Sequence, residues 1–231
     1  GRLAHQDKSL PEAIEAYGRV AAKRDGRGAA KSGGRVAEAA YYRALALYEA
    51  RDEGSLRQAR KEFASFLEKE PKHPLSPSAR FHEALCAFEL EDHAGAEALF
   101  AAAAREDPSL AGRALLRRGQ ALLLKSPPDA KGAADVLAEA EPLLEKEASE
   151  SKSDPSAARR LAEAFYWRGE ALLARGGDSL SEAAAAYARV HARFAGESAE
   201  LAEKSLYQAA LALHLWGKDA ECARASELYR K

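Results

Sequence analysis

The chain has 231 residues, with 35 basic and 36 acidic side chains and a net charge of −1. Ala occurs 55 times and Leu 29 times, whereas Ile and Val together supply five residues and Thr, Asn and Met none. Sheets draw on β-branched residues, and Ala, Leu, Arg, Glu and Lys are strong helix formers, so the composition predicts an all-α chain. A near-neutral charge lacks the basic footprint of a nucleic-acid binder. No apolar run approaches the roughly 18 residues of a membrane span. Cys86 and Cys222 lie 136 residues apart, which is no disulfide framework, and no signal peptide is visible.

In chain order, the first predicted helix starts at Ser9-Leu10-Pro11-Glu12-Ala13 and carries Tyr17 four residues after Ala13. A Gly-rich break, Gly26 to Gly34, precedes an amphipathic segment centred on Ala44. The next start is Ser55-Leu56-Arg57-Gln58-Ala59, with Phe63, followed by a Pro-containing break from Pro71 to Pro77. A segment around Ala84 then leads to Ala96 and Phe100, and Asp107-Pro108 ends that unit. Gly119 centres the following segment, with Ala133 and Leu137 beyond Ser126-Pro127-Pro128. A charged, Ser-rich stretch from Glu145 to Ser156 reads as a break. Beyond it come Gly169, the start Ser179-Leu180-Ser181-Glu182-Ala183 with Tyr187, the break Ala195-Gly196, and finally Ala210 with Cys222.

Three of these starts fit Ser-x-x-Glu/Gln, in which the two side chains satisfy orphan amide donors at a helix N-terminus. The small residue and the ring four positions later share one helical face. Gly119 and Gly169 cost about 1 kcal/mol each against Ala inside a helix, which points to close backbone approach. The repeating unit is therefore a helix, a short turn and a second helix, with small residues facing across the hairpin. Anchors at 13, 59, 96, 133, 183 and 222 predict one stacked array over residues 1–231. Counting twelve back from Ala13 reaches Gly1, so the spacing reads the chain as opening partway through its first unit, as part of a longer array.

These residues resemble the tetratricopeptide repeat, whose pattern is a small residue in the first helix, Ala-x-x-x-Phe/Tyr in the second, and Pro eight residues on. Ala59, Phe63 and Pro71 match in full, as do Ala96, Phe100 and Pro108; Ala13/Tyr17 and Ala183/Tyr187 match without the Pro. The resemblance covers essentially the whole chain as five to six irregular repeats and implies a right-handed α-solenoid of antiparallel helix pairs. His73 to Ala79 and Arg193 to Ala199 are similar to segments of bacterial envelope proteins with such repeats, outer-membrane assembly lipoproteins and coordinators of the Tol-Pal system. That likeness implies a bacterial, envelope-linked setting.

In this family the first helices line a concave surface that receives a peptide or helix of a partner. Three residues before each small residue stand Tyr41, Phe81, Leu116, Tyr166 and Tyr207; four after it stand Tyr48, Phe88, Leu123, Leu173 and His214. Two such rows would supply rigid contact area for a partner, or they pack between repeats. Arg113 and Arg117, four apart, could grip a carboxylate or phosphate; the alternative is a solvated helical face. His82 and Cys86 could offer two metal ligands where a structural zinc needs about four, and Cys86 reads more simply as a buried small residue. No phosphate loop, His-Glu-x-x-His or nucleophile elbow is present. The expectation is a non-enzymatic scaffold, without cofactor or metal, that holds a protein segment on its concave face. The alternative is a spacer or assembly module that self-associates or stacks on further repeats. A glycan binder or enzyme would instead place polar groups at the centre of that face.

Overall fold

The computed structural model describes residues 10–22, 29–151 and 154–217, with positions 223 and 227; over 29–34 it describes the backbone alone. Among the described residues there are ten helices and no strand. The chain divides into two compact units, Gly1–Asp107 and Pro108–Lys231. The first contains α1 (Leu10–Ala21), α2 (Ala29–Glu49), α3 (Glu53–Lys69), α4 (Ser76–Glu89) and α5 (His93–Glu106). The second contains α6 (Pro108–Leu124), α7 (Ala130–Glu150), α8 (Pro155–Arg175), α9 (Ser179–Phe194) and α10 (Ala199–Trp216). Ser9 and Cys222 lie outside the described residues.

Within each unit every helix packs on its neighbours in sequence order. Three-residue turns at 50–52, 90–92 and 176–178 fold α2/α3, α4/α5 and α8/α9 into antiparallel hairpins. Beyond the hairpins, α2 touches α4, α6 touches α8, and α8 touches α10. Among the described residues no comparably close backbone approach joins α1 to α3, α3 to α5, or α7 to α9, the last pair meeting only through long side chains. The first helices of successive hairpins therefore form a close inner layer, and the second helices diverge on the outside.

The repeat anchors are the core. Ala59, Phe63, Ala96, Phe100, Ala133, Leu137, Ala183 and Tyr187 are fully buried, as are Ala44, Ala84 and Ala210 on the inner helices. At Gly119 and Gly169 the small residue faces the large anchor, not the small one. A β-carbon on Gly119 would collide with the Leu137 side chain, and one on Gly169 would lie 2.6 Å from Cε1 of Tyr187. A bare backbone on one helix thus makes room for a bulky group on the other.

Helix starts differ from the Ser-based expectation. The cap of α3 is Asp52, whose Oδ1 accepts from the Ser55 amide at 2.9 Å. Gln58 does not reach back but donates to Glu62. Asp92, Asp129 and Asp154 cap α5, α7 and α8 in the same way. A carboxylate accepts more strongly than a hydroxyl and also meets the positive end of the helix dipole, so it wins where both are near. Asp154 is followed by Pro155 at the first helical position, where the missing amide proton costs no helical hydrogen bond.

Two predicted breaks are shorter than the sequence suggests. Gly33 and Gly34 lie inside α2, and α7 runs on to Glu150, leaving 151–154 between helices. Glu145 pairs with Arg193 at 2.8 Å and Glu147 with Arg160 at 2.6 Å. These interhelical pairs give the charged stretch partners that a purely local reading cannot supply.

Candidate functional site: the inner-helix surface

In the first unit the inner layer is α2 and α4. Tyr41 is buried edge-on against Phe63, with ring centroids 5.8 Å apart, and also meets Phe66 and His82. Burial pushes its phenol up to about 12, with the Tyr42 charge second. Phe81 and Phe88 flank Phe100 at 5.6 and 6.4 Å; the first is buried and the second half-buried. Tyr48 is also buried, with the Arg51 guanidinium 4.7 Å above its ring. Both aromatic rows of this unit are therefore engaged by their own chain.

His82 and Cys86 do not form a metal pair. His82 Nδ1 lies 2.7 Å from the Ser78 carbonyl, which requires the proton on Nδ1 and leaves the Tyr41 hydroxyl, 3.4 Å away, only the acceptor role. Cys86 is fully buried, and burial pushes its thiol up to about 12, away from the thiolate a metal needs. Among the described residues no group of three His, Cys, Asp or Glu could hold a metal.

The second unit has α6, α8 and α10 as its inner layer. Leu116 is buried, and Tyr166, 4% exposed, is edge-on to Tyr187 with Lys204 Nζ 4.8 Å over its ring. At the centre of this layer Glu170 Oε1 accepts from the Tyr187 hydroxyl at 2.9 Å and from Gln208 Nε2 at 3.2 Å. Burial first, then the Glu170 carboxylate, hold the Tyr166 and Tyr187 phenols above their ordinary range. Polar groups do stand at the centre, and they join α8, α9 and α10 to one another.

Arg117 is also engaged, donating to Gln120 at 2.7 Å and lying 3.9 Å from Glu163. Arg113 is half-buried; burial, then the neighbouring Arg160 charge, draws its guanidinium below the usual value, with Glu147 and Asp154 opposing. The two arginines thus stand within a network of charges from α6, α7 and α8.

The two rows are not equally placed. Tyr41, Phe81, Leu116 and Tyr166 are buried, whereas Tyr207 is 55% exposed; His214 is exposed, and Leu123 and Leu173 are half-buried. The open apolar positions lie one residue further along. Five residues after each small residue the column reads Glu49 and Glu89 in the first unit, and Leu124, Ala174 and Leu215 in the second. Leu124 is 46% and Leu215 56% exposed, and Ala174 is exposed. The column is readable from the repeat register: the same solvent-facing position holds Glu in two repeats and Leu in two others.

In comparisons with known proteins, no family model matches the chain and no curated protein matches it.

Proposed function

We infer that the chain is a non-enzymatic scaffold of tetratricopeptide type, a right-handed solenoid of antiparallel helix pairs, whose inner helices hold a segment of a partner protein. The repeat register supports the type: small residue, turn and buried Ala-x-x-x-ring recur in both units. The observation that carries the function is the apolar column of the second unit. Leu124 and Leu215 sit at equivalent solvent-facing positions of α6 and α10, and Tyr207 is exposed two turns earlier on α10. Exposed apolar side chains scattered singly are ordinary on any surface; the recurrence of one at a fixed register is what supports reading this position as a place where another surface is received.

The deciding experiment is affinity capture from the native source with the intact chain and with a Leu124→Glu/Leu215→Glu variant, each verified as folded by circular dichroism. A partner held by the intact chain and lost from the variant is expected. Equal capture by both would remove the inner-helix assignment. Light scattering on the purified chain separates the assembly-module reading: a dimer that Leu215→Glu dissolves would favour self-association.

A further inference from the structure

The cations beside the apolar column identify the kind of segment it would receive; this step rests on the scaffold reading above. Lys125 follows Leu124 at the end of α6, and Arg175 follows Ala174 at the end of α8. Arg175 is exposed and Lys125 half-buried, and neither is within ion-pair distance of an acidic group among the described residues. His214, exposed, stands next to Leu215 on α10. Of the acidic residues in the adjoining turns, Asp129 accepts from the Gly132 amide at 2.8 Å, whereas Asp178, the residue preceding α9, makes no side-chain hydrogen bond to that helix. The first unit differs at the equivalent place, with Glu49 and Glu89 in the column and Glu89 paired to Arg51 at 3.1 Å.

We propose that the rim made by the C-terminal ends of α6, α8 and α10 is a docking site for an acidic amphipathic helix of a partner protein. The spacing fits a helix. Packed helices lie about 8–10 Å apart, and a crossing helix rises about 10 Å in seven residues. Apolar side chains at seven-residue intervals therefore reach Leu124, Ala174 and Leu215 in turn. Glutamates flanking that stripe meet Lys125 and Arg175, whose charges would otherwise repel a basic segment; complementarity of this kind decides which partner is accepted.

The probe is a fluorescein-labelled peptide of about 18 residues, long enough to cross three helices, with leucines at helical spacing and glutamates on both flanks. Its counterpart carries lysines in place of the glutamates. Fluorescence anisotropy with the full chain is expected to give the acidic peptide an affinity about tenfold or more above that of the basic one. Lys125→Glu/Arg175→Glu should reverse the order, and Leu124→Glu should weaken both peptides. Equal affinities, binding of neither peptide, or an unchanged order in the charge-reversed variant would overturn the proposal. The capture experiment tells this failure from failure of the scaffold reading. A partner that the Leu124→Glu/Leu215→Glu variant loses but the charge-reversed variant keeps leaves the scaffold standing without the acidic specificity. No partner held by the intact chain removes both.

Discussion

Tyr187 lies directly against the backbone of α8 at Gly169, where an added β-carbon would come within 2.6 Å of ring atom Cε1. The hydroxyl of the same ring donates to Glu170 at 2.9 Å, one residue along α8. The ring is therefore held at both ends of a single helical step, and it cannot move aside without losing that hydrogen bond.

Gly169→Ala is accordingly expected to destabilise the second unit. Overpacking a filled core costs about 1–3 kcal/mol, and the helix propensity gained returns about 1 kcal/mol. Gly196→Ala is the control, because a β-carbon there meets nothing within 4 Å; its effect should stay within about 0.5 kcal/mol. Urea denaturation followed by circular dichroism compares the two, and coincident midpoints would contradict the contact.

The buried phenols set an alkaline limit. Burial raises Tyr41 from 10.0 to about 12 and carries Tyr166 and Tyr187 upward in the same direction. A group whose folded-state pKa is raised favours the folded chain fully below its unfolded value, and that contribution fades as pH rises through the folded one. Stability should therefore be level up to about pH 10 and decline above it. Tyr187→Phe removes one such group and its bond to Glu170, so it should cost about 1 kcal/mol near neutrality and make the alkaline decline shallower. Phenolate absorbance and ellipticity recorded on the same pH series read both effects.

Much of this architecture follows from periodicity alone. Ala59 with Phe63, Ala96 with Phe100 and Ala183 with Tyr187 are at the core because residues four apart share a helical face, which is a local property. The roles of Tyr41 and Tyr166 are not local. Their exposure depends on whether a second helix covers them, and Phe63 and Tyr187, 22 and 21 residues downstream in the sequence, do so. The persistence of α7 to Glu150 is hidden for the same reason, since Arg193 and Arg160 approach from α9 and α8. The apolar column at Leu124 and Leu215 was legible in principle, but counting only the aromatic positions passes over it.

Asp92 illustrates a cap that also joins hairpins. Its carboxylate accepts from the Gly95 amide at 3.0 Å and from Arg60 of α3 at 2.7 Å. The Gly95 amide first, and Arg60 second, hold the carboxyl below the ordinary 3.8. Asp92→Ala should cost about 1–2 kcal/mol at neutral pH through loss of the cap. A depressed folded-state pKa stabilises above the unfolded value and is lost as pH falls through the folded one. The difference in melting temperature between the native chain and Asp92→Ala should therefore be constant at neutral pH and shrink below 3.8. A gap that persists undiminished in strong acid would show that the carboxylate charge is not what acts.

The residue before that cap carries backbone strain. Glu91 has φ of 63°, as does Arg51 at the equivalent turn between α2 and α3. Each follows the end of an inner helix and precedes an Asp cap, so the same left-handed step turns both hairpins of the first unit. At Glu91 the geometry is held by two backbone bonds, its own amide to the Phe88 carbonyl at 3.0 Å and the Asp92 amide to the Ala87 carbonyl at 2.9 Å. A residue with a β-carbon in this region costs about 1–2 kcal/mol, and glycine avoids that cost. Part of the gain is offset by the greater freedom of glycine in the unfolded chain, about 0.4–1 kcal/mol. Glu91→Gly should thus raise stability by up to about 1 kcal/mol, although it removes an exposed charged side chain and adds no contact. Glu91→Ile, β-branched and poorly suited to positive φ, should lower it by about 1–2 kcal/mol. Thermal melts of the two variants moving in the same direction would contradict a left-handed turn at this position.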